Sequence, residues 1–167
     1  MAIKTRIAYY HSLKYGPLGY LDSNNYNNKF DENILQANLN KHIKRNEKNP
    51  IVIHYMTKYE GKFPLWVIIE FFDFSDASKM YSQLDKKLQK EIARTFNSNS
   101  TCLSSWLYCL THLRNCCAHY ARIYNTIMIS IPVTPKNYKS GGNIAKKITN
   151  FFLWTYKSIC SLLKKNA

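Results

Sequence analysis

Thr101-Cys102-Leu103-Ser104-Ser105-Trp106-Leu107-Tyr108-Cys109-Leu110-Thr111-His112-Leu113-Arg114-Asn115-Cys116-Cys117-Ala118-His119-Tyr120-Ala121-Arg122 is the stretch that decides the fold. It contains no Gly or Pro, and its apolar residues recur at helical spacing. Cys102, Leu103, Trp106, Cys109, Leu110, Leu113, Cys117 and Ala121 share one side. Tyr108, Thr111, His112, Asn115, His119 and Arg122 share the other. Residues 101–122 therefore read as one long amphipathic helix whose apolar side needs a partner.

Working outward, most of the chain reads the same way. Residues 1–31 read as a short helix and then a loop broken by Gly16-Pro17 and Gly19. Residues 31–46 read as a helix capped by Asp31, with Ile34, Leu35, Leu39 and Ile43 as its apolar face and Asn49-Pro50 as its stop. Ile51 to Tyr59 fits helix or strand equally. Pro64 suits the first turn of a helix, and Leu65 to Phe74 is apolar almost all round, as a buried segment is. Ser75 or Asp76 caps a further helix to about Phe96, with Met80, Leu84, Leu88 and Ile92 spaced by four. Asn97 to Ser100 reads as a polar linker. Ile127 to Val133 reads as a short strand or extended tail. Residues 143–164 read as a basic amphipathic helix with Ile144, Ile148, Phe151, Phe152, Ile159 and Leu162. With 167 residues and no internal repeat, residues 1–167 read as a single helical domain.

Charge narrows the function classes. The formal net charge is +14, and all ten acidic residues lie at or before Glu91. Residues 1–91 carry 14 Lys/Arg, a net of +4, whereas residues 92–167 carry ten and no acid, a net of +10. Such a field attracts polyanions, either nucleic acid or an anionic membrane surface, unless the excess Lys serves solubility alone. Five cysteines, an odd count with a vicinal pair, argue against a disulfide framework and for reduced thiols in a cytoplasmic protein. Met1 to Arg6 leads into no apolar signal region, and no apolar run is long enough to span a bilayer, so integral membrane association is not expected.

Leu113 to Asn125 is where chemistry concentrates. It packs two Arg, two Asn and a His into one stretch with no acid nearby. Asn115, His119 and Arg122 recur at i, i+4 and i+7, on one helical face, while Arg114 lies about 140° round from His119 and reaches in from the edge. An RNA 2′-hydroxyl attacks its own phosphate once a base takes its proton, and an acid must then protonate the leaving 5′-oxygen. His suits either role near neutral pH, and Arg holds the phosphate bidentately. This route needs no metal or other cofactor, and the lack of carboxylates after Glu91 suits it. DNA, without the 2′-hydroxyl, is not a substrate. Lys136, Lys139, Lys146 and Lys147 add a basic segment that either tracks phosphates or is simply solvated.

Other readings of the same residues are weaker. His112, Cys116 and His119 share a stripe, but no Cys-x-x-Cys pair supports a zinc site. Cys102, Cys109 and Cys117 read as small core residues. Trp66, Trp106 and Trp154 read as core, and Tyr9, Tyr10, Tyr15 and Tyr20 as core or loop packing before base stacking. The basic helix at residues 143–164 can pack on protein or lie on anionic lipid, which keeps open a helical interaction or membrane-surface role.

The order of residues is more specific than their composition. Leu113-Arg114-Asn115-x-x-Ala118-His119-x-x-Arg122-x-Tyr124-Asn125 resembles the signature of the Abi-like (abortive infection) family within the HEPN superfamily, marked by Arg, a polar residue and a following His. His11-x-x-x-Tyr15-Gly16-x-x-Gly19-Tyr20 and Phe63-Pro64-Leu65-Trp66-Val67-x-x-Glu70 resemble the earlier motifs of that family, in the same order. The resemblance spans residues 8–126. It implies an all-α, HEPN-like helical bundle, beside which residues 127–133 read on their own as a short extended segment. It implies a metal-independent endoribonuclease in phage defence that leaves 2′,3′-cyclic phosphate ends, with Arg114 and His119 catalytic and Asn115 their polar helper. Arg122 and the four lysines then serve as phosphate contacts. It implies a homodimer with a composite site, RNA as substrate and an antitoxin or regulatory partner. The chain departs from the family at Ser75, where Gly is common, at Tyr120, where a second His is common, and in starting after the family's usual N-terminal helical region. That last departure motivates an alternative, a non-catalytic RNA-binding or regulatory module on the same fold.

Overall fold

The computed structural model describes residues 2–119 and 132–133, all within the first compact unit of the chain, Met1–Val133. The described residues form seven α-helices and no strand: α1 (Ala2–Tyr15), α2 (Glu32–Arg45), α3 (Pro50–Lys58), α4 (Leu65–Phe71), α5 (Phe74–Gln83), α6 (Lys86–Arg94) and α7 (Ser100–Ala118). The expected all-α bundle is thus the observed fold. The expected extended segment is not a strand where it is described, at Pro132 and Val133; residues 127–131 and the basic helix at 143–164 lie outside the described residues.

The core follows the apolar spacing. Ile3, Ile7 and His11 of α1, Leu65, Ile68 and Ile69 of α4, and Met80 and Tyr81 of α5 are buried together with Leu84. Leu88 and Ile92 of α6 and Leu103 and Leu107 of α7 complete the same cluster. Helix α1 packs on α4, α5 and α6, and α7 packs on α5 and α6. Asp31 caps α2 as expected, accepting from the Asn33 and Ile34 amides. Helix α2 buries Leu39 and His42 but leaves Ile34 half exposed. Residues 50–58, undecided in sequence, are helical: Asn49 accepts from the Ile51 amide and Pro50 fills the first turn. Asn49-Pro50 thus starts α3; α2 has already ended at Asn46, whose amide and side chain both bond to the His42 carbonyl.

Three expectations are corrected. Residues 75–96 are not one helix: α5 stops at Gln83 and α6 starts at Lys86, with Leu84 and Asp85 extended. The Asn27 side chain donates to the Ser82 and Leu84 carbonyls, the Gln89 side chain donates to the same two, and the Asn27 amide donates to the Gln83 carbonyl. These bonds satisfy the α5 end, so the chain turns there while Met80, Leu84, Leu88 and Ile92 stay buried. Secondly, Asp73, not Ser75 or Asp76, stands at the α5 N-cap, and its carboxylate faces Lys41 and Arg45 instead of capping. Thirdly, the run from Leu65 to Phe74 splits at Phe72, and Trp66 is half exposed.

The two earlier sequence motifs are pinned to each other. The Tyr20 hydroxyl donates to the Phe63 carbonyl at 2.9 Å, and the Leu65 amide donates to the Pro17 carbonyl at 2.9 Å. Gly16 ends α1 at φ +79°, a conformation that favours glycine. Gly19 is required by closeness: a Cβ there would lie 2.5 Å from Tyr15 Cβ.

Candidate functional site

Helix α7 positions the signature residues. Asn99 caps its start by accepting from the Cys102 amide, and Cys102, Leu103, Leu107, Cys109 and Leu113 anchor its inner side. The opposite face is thereby turned outward. Tyr108, Arg114, Asn115 and His119 are all exposed, and His112 is half-buried. Helix α7 is described from Ser100 to Ala118, and residues 120–122 of the stretch read as helical lie outside the described residues. His119 is the C-cap, with its amide donating to the Asn115 carbonyl at 3.0 Å.

Arg114 and Asn115 are brought together. Arg114 Nη1 donates to Asn115 Oδ1 at 3.3 Å, which draws the guanidinium from its own side of the helix toward the Asn115 face. Asn115 is thus bonded through its side chain to Arg114 and through its carbonyl to the His119 amide. A guanidinium so held still has free N–H donors for a phosphate. Arg122, Lys136, Lys139, Lys146 and Lys147 lie outside the described residues.

A second polar cluster was missed in sequence. His42 Nε2–H donates to Asp76 Oδ2 at 2.8 Å, both side chains buried, and the His42 ring stacks on Phe72. Lys41 Nζ lies 3.5 Å from Asp73 and 3.9 Å from Asp76, and Arg45 lies 3.5 Å from Asp73. His42, Asp73 and Asp76 offer ligand atoms within 4.8 Å of one another, the one such group among the described residues. Lys41 and Arg45 already supply cations to these carboxylates, so the cluster ties α2 to α5 as an ion network. The signal in sequence was a His three residues after Leu39, on the apolar stripe of α2.

His11 and Lys4 are likewise buried polar groups on the inner stripe of α1. Both His11 ring nitrogens are buried without a hydrogen-bond partner among the described residues, between the Tyr15 and Tyr26 rings. Burial, with the charge of Lys14, lowers its pKa to about 4. Lys4 Nζ donates to the Glu70 carbonyl at 2.9 Å, and burial lowers its pKa against the pull of Glu70, Asp73 and Asp76. Tyr20, read as core or loop packing, is buried, and burial pushes its hydroxyl up to about 12.

A cleft of about 30 Å³ lies beside Asp76 and Lys79, and an apolar groove of about 480 Å³ lies between α1 and α4, lined by Tyr9, Leu13 and Trp66. Neither is lined by Arg114, Asn115 or His119. The zinc stripe considered in sequence shows one contact, Cys116 Sγ at 3.8 Å from His112 Nε2. No helix among the described residues is long and apolar enough to cross a membrane.

The sequence model of the Abi-like protein family matches residues 1–125. That range takes in all three motifs and stops at Asn125, the last residue of the signature that begins on α7. No curated protein and no solved structure matches the chain.

Proposed function

Because this chain belongs to the Abi-like protein family, whose name points to abortive infection as a defence against phage, we propose that it is a metal-independent endoribonuclease of the HEPN type. The observation that carries the reading is the exposed end of α7, where Arg114 is hydrogen-bonded to Asn115 one turn before His119. Arg114 holds the scissile phosphate and offsets charge as it builds on the phosphoryl oxygens. His119 takes the proton of the 2′-hydroxyl, which attacks the adjacent phosphorus. The P–O5′ bond breaks, leaving a 2′,3′-cyclic phosphate and a 5′-hydroxyl. Asn115 keeps the guanidinium on the His119 side. Arg122, Lys136, Lys139, Lys146 and Lys147 contact flanking phosphates.

The leaving oxygen needs a proton donor, and an exposed surface with one His does not enclose the reaction. A homodimer in which two copies of the motif face each other supplies both a second His and a second wall. A partner that separates or covers these surfaces would then act as an antitoxin. The exposure of Arg114, Asn115 and His119 also favours a second reading, an RNA-binding module that engages the strand without cutting it.

The test is incubation of the purified protein with a mixed RNA pool in EDTA, beside His119→Ala and Arg114→Ala. Cleavage with 2′,3′-cyclic ends, lost in both variants while helicity is kept, is expected. Cleavage that persists in either variant removes that residue from the mechanism. Salt-sensitive binding without products leaves the RNA-binding module.

A further inference from the structure

Helix α6 carries a charge pattern that the proposed site does not use. Lys86, Lys90 and Arg94 recur at i, i+4 and i+8, with Lys87 beside them, and all four are exposed. Leu88, Ile92 and Ala93 are buried on the other side. On an ideal helix the exposed arc from Lys86 to Glu91 covers about 140°. It holds four cations, one carboxylate (Glu91) and no apolar residue.

Every side-chain carboxylate of the chain lies among the described residues, so neutralisation can be checked in full. None lies within ion-pair distance of Lys86, Lys87, Lys90 or Arg94. Asp85, next to Lys86, is engaged at 3.2 Å by Lys14. The face is therefore a stripe of four cations to one carboxylate, none of the four held in an ion pair, on a helix that packs directly against α7. Cations one turn apart recur about every 6 Å along the axis, a repeat suited to successive phosphates of an extended strand. A lipid surface would also attract charge, but interfacial helices bury apolar side chains and this face has none.

The geometry points to α6 as the track for single-stranded RNA, with Lys86, Lys90 and Arg94 contacting successive backbone phosphates and Lys87 flanking them. This rests on the ribonuclease reading for taking RNA as the polyanion. It adds a second binding surface, independent of base identity.

The test uses the full chain, a 2′-O-methyl RNA strand that cannot be cut by the 2′-hydroxyl route, and a salt series. The triple variant Lys86→Gln, Lys90→Gln, Arg94→Gln keeps good helix formers. Its control, Lys44→Gln, Lys48→Gln, Lys58→Gln, removes the same charge from exposed positions of α2, α3 and the turn between them. The α6 triple should bind at least about tenfold more weakly and lower the slope of log K against log salt by roughly 2, near 0.7 per lost phosphate contact. The control should change the slope little. Equal losses in both triples, or none in either, would overturn the track. Loss of binding to anionic vesicles with RNA binding unchanged would overturn it in favour of a membrane surface. Failure of the ribonuclease reading shows separately, as intact unmodified RNA in EDTA.

Discussion

Asp76→Ala should loosen α2 from the bundle. Among the described residues, Asp76 gives His42 the one hydrogen bond its ring makes, at 2.8 Å, across 34 residues of sequence. His42 Nδ1 is already buried without a partner among the described residues, so the variant leaves both ring nitrogens unpaired there at a site with no solvent exposure. An unsatisfied buried polar group costs about 1–3 kcal/mol, and a lost hydrogen bond to a charged acceptor about 1.5–3. The carboxylate no longer has to be desolvated, which offsets part of this, and Lys41 keeps Asp73. The net loss expected is about 2–4 kcal/mol, or roughly 5–15 °C in Tm for a chain of this size. Asp76→Asn, which keeps an acceptor oxygen, should lose about 1 kcal/mol. Thermal and urea unfolding followed by circular dichroism measure these shifts. A double-mutant cycle with His42→Leu isolates the pair, with an expected coupling of about 1–3 kcal/mol. Hydrogen exchange should rise first in Glu32–Arg45. An Asp76→Ala midpoint equal to wild type, or a double mutant costing the sum of the singles, would refute the reasoning.

Three further perturbations follow from α1 and its turn. The pKa of His11 is lowered from 6.5 to about 4 in the fold, so the unfolded chain takes up its proton first. Stability is therefore full above pH 6.5 and falls as the pH drops toward 4, by about 3 kcal/mol in total. His11→Leu should flatten urea midpoints between pH 7 and pH 5, and an unchanged slope would mean that His11 is not the titrating group. Gly19→Ala forces a methyl group to within 2.5 Å of Tyr15 Cβ and should cost about 1–3 kcal/mol. Gly16→Ala meets nothing within 4 Å and should cost about 1–2 kcal/mol through its positive φ alone. Equal Tm values for Gly19→Ala and wild type would show that the turn shifts freely.

The helices were legible in sequence wherever apolar spacing carried the information. Met80, Leu84, Leu88 and Ile92 were read as one helical series spaced by four; all are core, although the helix between them is broken. The break was not legible because it is made by Asn27 and Gln89, and Asn27 lies more than fifty residues away in sequence. Trp66 reads as core by residue type yet lies half exposed beside an apolar groove. The signature on α7 was legible by the order of its residues, and the structure adds the Arg114–Asn115 bond, which a helical projection does not contain. His42 with Asp76 was not legible as a pair, since two residues on separate helices declare nothing of their distance. The motif around His11 and Gly19 was read as a family mark, and in the fold it is a packing element. Its glycine lets a turn lie against Tyr15, and its tyrosine bonds to the Phe63 carbonyl.

Val133 holds a consequence of a different kind. Its amide donates to Ser105 Oγ at 3.0 Å and its carbonyl accepts from Trp106 Nε1 at 2.8 Å, so both of its backbone polar groups are spent on the middle of α7. The family match ends at residue 125, eight positions earlier. A chain cut at that boundary would keep every signature residue and still lose a strap across the helix that presents them. The smallest piece that can be expected to behave as the folded unit therefore runs through Val133, and a truncated protein that fails to act should first be suspected of having been cut too short.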